Sequence, residues 1–144
     1  MNNIVISIEY QEIVDAWLAY YQDIEDSGDI SGKTDVTSPY LWAIDRLDDI
    51  GRFQPELCWL LILEISDRAD SDLQRASLAA GPLEDLLSRY GDYFIDRIEE
   101  VVKRNGRFRE LLTGVWKNTI NPIVWNRIQC LCSNDLYGDD SEFA

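Results

Sequence analysis

The chain has 144 residues, 46% of them hydrophobic, with a formal net charge of −14 and no histidine. That length suits a single domain, 1–144, closed around one core; its longest apolar run, the seven residues Leu57 to Leu63, falls far short of a membrane span of roughly 20. The absence of histidine removes Ser-His and Cys-His nucleophilic arrangements and His-based acid–base work, while the acidic field disfavours direct contact with nucleic acid or lipid phosphate.

Residues 1–7 read as a flexible or short extended segment around Ile4, Val5 and Ile6, with neither the basic cluster nor the small-residue site of a secretory leader. A soluble, cytoplasmic protein is the expectation. Tyr10, Ile13, Val14, Trp17, Leu18, Tyr21 and Ile24 recur at spacings of three and four, which predicts a helix over about 8–25. Residues 26–37 hold two glycines among polar residues and predict the one long loop. Ser38-Pro39 then opens a helix carrying Leu41, Trp42, Ile44 and Leu47 inward, and Gly51 ends it. Pro55-Glu56 opens a third helix, apolar almost all round from Leu57 to Ile65 and therefore expected to be the most buried.

Asp70, Ser71 and Asp72 supply the next cap, and Leu73, Ala76, Leu78, Ala79 and Ala80 predict a short helix stopped at Gly81. Pro82 restarts the chain with Leu83, Leu86 and Leu87 inward and Glu84 and Asp85 at the positive end of the helix dipole, as far as Tyr90-Gly91. A further helix covers 92–104, Asn105-Gly106 makes a turn, and Phe108, Leu111, Leu112, Val115 and Trp116 form its partner. Asn121-Pro122 begins a last helix through Ile123, Val124, Trp125, Ile128 and Leu131. Residues 133–144 are acidic and lack periodicity, so a disordered tail is expected.

One pattern occurs twice. Ile44-Asp45-Arg46-Leu47-Asp48-Asp49-Ile50 is answered type for type by Ile95-Asp96-Arg97-Ile98-Glu99-Glu100-Val101, 51 residues later. Gly51-Arg52-Phe53 and Gly106-Arg107-Phe108 follow them 55 residues apart, which suggests four extra residues, about one helical turn, in the second copy. A duplicated helix-turn-helix unit with no β alternation predicts an all-α fold of about eight helices, an irregular bundle or short α-solenoid-like stack.

The segments Ala79-Ala80-Gly81-Pro82-Leu83-Glu84-Asp85-Leu86-Leu87, Phe94-Ile95-Asp96-Arg97-Ile98-Glu99 and Arg107-Phe108-Arg109-Glu110-Leu111-Leu112, with Val115-Trp116 after them, resemble a family of short bacterial helical proteins of unknown function. The resemblance covers roughly residues 40–128, and the Gly-Pro-Leu-Glu-Asp-Leu-Leu stretch is its most specific part. It implies no activity and no site residue. Members of that family often carry His before the glycine that is Gly91 here, where this chain has Tyr90.

Few residues suggest chemistry. Cys58, Cys130 and Cys132 with no histidine cannot close a zinc site, and their expected role is that of small apolar residues in a reducing compartment. Asp45 with Asp48 or Asp49, and Asp96 with Glu99 or Glu100, lie one helical turn apart and are able to share a metal or a proton, but a salt-bridged helix face is the expectation for blocks that also contain arginine. Gly28-x-x-x-Gly32-Lys33-Thr34 is one residue short of a phosphate-binding loop and has no strand before it. The basic stretch Lys103, Arg104, Arg107, Arg109 and Lys117 reads as cations near a helix C-terminus, and the five tryptophans read as core, with one or two left to line a partner-binding groove.

Charge is the strongest remaining signal, because residues 1–50 hold 11 acidic side chains against 2 basic ones. The expected function is a non-enzymatic acidic binding protein, of the immunity or inhibitor type, that occludes a basic partner such as a toxin or nuclease. Asp23, Glu25, Asp26, Asp29, Asp35, Asp48 and Asp49 are its expected partner-binding residues, with no cofactor, metal, nucleic acid or membrane involved. A helical scaffold, self-associating or regulatory, is the alternative, and a carboxylate-dependent metalloenzyme is the third.

Overall fold

The computed structural model describes the backbone of residues 2–28 and 35–133 and the side chains of 8–28 and 35–133. The centre of the expected loop, with Asp29, and the expected tail over 134–144 lie outside the described residues. Of the described residues 82% are helical and none lies in a strand, so the protein is all-α. With contiguous runs joined there are six helices among the described residues, against the expected eight or so. Contacts divide the chain into two compact units, Met1–Leu78 and Ala79–Ala144.

The first unit contains α1 (Asn2–Ser27), α2 (Leu41–Phe53), α3 (Pro55–Arg68) and α4 (Asp72–Leu78). Residues 2–7 are helical backbone rather than an extended segment, since α1 starts at Asn2. Its apolar stripe buries Ile13, Val14, Trp17 and Tyr20 against α2, α3 and α4. Helix α3 contributes Cys58, Leu61, Ile62 and Ile65 to the same core, as its sequence predicts, while Leu60 faces outward. Each such aliphatic side chain, fully removed from water, stabilises the unit by about 1.5–3 kcal/mol.

Polar groups lock these helices in register. Tyr10 donates its hydroxyl to the carbonyl of Leu60 at 2.7 Å, and burial, with the Glu64 carboxylate adding to it, pushes the phenol's pKa up. Ser71 and Gln74 form a capping box at the start of α4. The Ser71 hydroxyl accepts from the Gln74 amide at 3.1 Å, while Gln74 Oε1 accepts from the Asp70 and Ser71 amides. The same buried glutamine donates through Nε2 to the carbonyl of Leu18 at 3.0 Å, tying α4 to α1. Ser38-Pro39 does not begin α2. The Ser38 hydroxyl instead accepts from the Tyr40 amide in a turn, and the helix starts at Leu41.

The second unit opens with a π-helical turn (Ala79–Leu83) and contains α5 (Glu84–Arg104), α6 (Gly106–Leu112) and α7 (Pro122–Cys132). Gly81 does not stop the helical run, because the wider turn accommodates Pro82, which has no N–H to donate. Tyr90-Gly91 is the kink at which one helical segment of α5 ends and the next begins, as the sequence predicts: Tyr90 leaves helical geometry at φ −134°, ψ 27°. A Cβ at Gly91 would lie 3.1 Å from Val124 Cγ1, so the glycine permits the close approach of α5 and α7. The unbroken run through Gly81-Pro82, and the joining of two segments across the Tyr90 kink, account for the two helices fewer than expected. Helix α6 also stops at Leu112, so Val115 and Trp116 lie beyond it.

The internal repeat survives with a corrected register. Gln54 breaks α2 from α3 at φ −136°, and Asn105 breaks α5 from α6 at φ −141°, each ten residues after the Ile that opens its block. The 51-residue spacing therefore holds through the break, and no turn is inserted. Gly51-Arg52-Phe53 ends α2, whereas Gly106-Arg107-Phe108 begins α6; Phe53 is 79% exposed and Phe108 fully buried.

Candidate functional site

Helical geometry sorts the acidic residues of α1 into two groups. Glu9 and Asp15, in its first half, are bound by cations of the same unit: Arg46 reaches Glu9 at 2.7 Å and Arg68 reaches Asp15 at 2.7 Å. Asp23, Glu25 and Asp26, in the last turns, are exposed. No ion pair joins them to a cation among the described residues, and Asp26 accepts only the neutral amide of Gln22 at 3.0 Å. Negative side chains at the negative end of a helix dipole oppose the helix, and α1 has no basic residue in its last turn to offset them.

The other predicted residues divide differently. Asp35 accepts from both the amide and the hydroxyl of Thr37, at 3.0 and 2.7 Å, closing a turn. The Thr37 hydroxyl, then its amide, holds the Asp35 carboxyl below the usual aspartate range. The Asp35 amide donates to the buried Tyr20 hydroxyl at 2.8 Å, which seats this turn on α1. Asp48 pairs with Arg52 one turn later at 3.4 Å, and Asp49 is exposed beside it. Asp23, Glu25 and Asp26 thus share one helix end, Asp48 and Asp49 belong to α2, and Asp35 acts first as a turn residue.

The second copy of the repeat uses its carboxylates internally. Arg127 of α7 donates to Asp96 at 2.6 Å and to Glu99 at 3.0 Å, so the pair that metal or proton sharing would need is engaged by a guanidinium. Arg109 donates to the carbonyls of Leu131, Cys132 and Ser133 and caps α7, a helix other than its own, which the sequence reading of the basic stretch does not anticipate. Burial pushes the Cys132 thiol up, and the Arg109 guanidinium opposes that shift. Among the described residues no group of three or more metal-ligating side chains converges. A pocket of about 210 Å³, lined by Glu9, Tyr10, Ile13, Arg46, Gln54, Leu57 and Leu61, lies in the first unit.

Two features escape sequence reasoning. Trp42 and Trp116, assigned inward by periodicity, are 45% and 74% exposed, while Trp17 and Trp59 are core. Glu84, expected only to face the helix dipole, is 9% exposed and accepts from the Trp116 amide at 3.0 Å and from Asn118 Nδ2 at 3.3 Å. Its place in the Gly-Pro-Leu-Glu-Asp-Leu-Leu stretch was the available signal, since a carboxylate among inward leucines needs a partner.

The chain belongs to a family of unknown function, DUF6869, whose profile matches residues 31–136. No curated protein and no solved structure matches it. Among the described residues no helix is long and apolar enough to cross a membrane.

Proposed function

We propose that this member of a family of unknown function is a non-enzymatic binding protein that docks a basic protein through the acidic end of α1, as an immunity-type inhibitor occludes a basic toxin. The observation that carries this reading is the contrast within one helix: Glu9 and Asp15 are neutralised by arginines of their own unit, while Asp23, Glu25 and Asp26 have no such partner among the described residues and oppose the helix dipole. A basic partner would remove that opposition on binding. Asp48 and Asp49 lie on α2 close to Arg46, which pairs with Glu9 in the first half of α1, so they stand apart from that end, and Asp35 holds the turn ahead of α2. Long-range attraction of this kind acts mainly on the association rate and fades with salt. The three unbridged cysteines fit the reducing conditions of a cytoplasm, where such a protein would act.

Affinity capture from native extract at low and high salt tests the reading. One basic protein retained at low salt and lost from the D23K/E25K/D26K variant is the expected result. Equal retention by the variant would overturn the placement on α1.

A further inference from the structure

The loop between α6 and α7 is built to hold one exposed tryptophan in place. Its ends turn inward at Val115 and Ile120, both buried, while Trp116, Lys117, Asn118 and Thr119 face solvent. Successive turn bonds fix its entry, from the Gly114 amide to the Leu111 carbonyl at 3.0 Å and from the Val115 amide to the Leu112 carbonyl at 3.1 Å. Its exit is fixed by the Ile120 amide on the Lys117 carbonyl at 2.7 Å. A Cβ on Gly114 would lie 3.0 Å from Ala79, so the loop is pressed against the start of the second unit.

The brace beneath it is Glu84. One carboxylate oxygen takes the backbone N–H of Trp116 itself, the other takes the side chain of Asn118, and Asn118 adopts the left-handed backbone at φ 39° that asparagine tolerates. Buried glutamate is rare without such compensation. The result is an indole that is 74% exposed on a backbone that does not need to be ordered on binding. Preorganised tryptophan is the residue type most enriched where binding energy concentrates.

Charge indicates what it meets. Residues 101–133 hold six basic side chains against one acidic in a chain whose net charge is −14; Arg127 is taken up by Asp96 and Glu99 and Lys103 by Glu100, while Lys117 is the one charged residue between Leu111 and Ile123. Arg104, Arg107 and Lys117 are all exposed. The exposed charge of the loop itself is thus Lys117 alone, a cation that suits an acidic surface, and the chain itself supplies an abundant acidic surface. We infer that the Trp116 loop is a self-association site, in which the indole and Lys117 of one copy dock on an acidic surface of a second copy.

Analytical ultracentrifugation of the full chain across concentration, at low and high salt, tests this without an unidentified partner. A concentration-dependent oligomer that weakens with salt is expected, with Trp116→Ala weakening it by roughly thirtyfold or more, as for a central anchor. Lys117→Glu should weaken it mainly at low salt. Trp116 is largely outside the core, so both variants should keep the wild-type helical circular dichroism, and loss of association with intact fold supports the site. A wild-type monomer at millimolar concentration and low salt, or association that Trp116→Ala leaves unchanged, overturns it. The reading of α1 is told apart by its own assay, capture of a basic partner that D23K/E25K/D26K loses and Trp116→Ala keeps.

Discussion

The two copies of the repeated block keep the same chemistry and put it to different uses. In the second, Asp96 and Glu99 of α5 converge on Arg127 of α7, so the acid helps to join helices. In the first, Arg46 leaves its own block to bind Glu9 of α1, and Asp48 has only the weak one-turn pair with Arg52. A repeated sequence therefore repeats the helix and its break, but the fate of its charged face depends on what packs beside it. Acid in the second copy is structural, whereas in the first unit Asp23, Glu25 and Asp26 make no ion pair among the described residues.

The largest expected effect breaks that comparison at its phenylalanines. Phe108→Ala should cost about 3–5 kcal/mol in urea unfolding, because a fully buried ring is removed, whereas Phe53→Ala should stay within about 0.5 kcal/mol. Similar losses would restore the 55-residue alignment of the two Gly-Arg-Phe segments. At the positions that the 51-residue register equates, Leu47→Ala and Ile98→Ala should each cost about 2–5 kcal/mol, since both are buried.

A smaller effect comes from the brace. Glu84→Ala should cost about 1–3 kcal/mol by leaving the Trp116 amide without its acceptor, and hydrogen exchange at that amide should accelerate. Neutralising acid should then move stability in opposite directions at two places. Arg127 and its two carboxylates are partly exposed, so breaking the cluster by D96N/E99Q should cost no more than about 1 kcal/mol. D23N/E25Q/D26N should instead stabilise by about 0.3–1 kcal/mol at low salt, falling as salt rises. Two changes of the same sign would remove the distinction between structural and uncompensated acid.

The smallest effect concerns Asp35, whose carboxyl is held below the usual range by Thr37. A depressed folded-state pKa contributes stability that is present above the unfolded value and lost as pH falls through the folded one. In an NMR titration the Asp35 midpoint should lie below that of an ordinary aspartate and rise in Thr37→Ala. An unchanged midpoint would show that the Thr37 hydroxyl is not its cause.

Much of the fold was legible because helix caps and periodicity act locally. Asn121 caps α7 through its own side chain, as Asn121-Pro122 predicts, while Asn105, read as a turn residue, caps α6 in the same way. The continuation through Gly81-Pro82 was not legible, since a π-turn around a proline is decided by what surrounds it. The acidic character of α1 could be read in advance, but not which of its residues were already paired. Asp15 and Asp23 are the same residue type on one helix; only the position of Arg68 separates their roles.

By itself, the sequence determined the all-α class, the existence of the repeated block, the acidic first third and membership of the family, because each depends on short-range pattern or on composition. Tertiary structure alone decided that Trp116 faces solvent above a buried Glu84, that Arg127 engages the second pair of carboxylates and that Phe53 and Phe108 part company. Those outcomes depend on contacts between residues far apart in the chain, and a helical period states which residues share a face without stating what that face will meet.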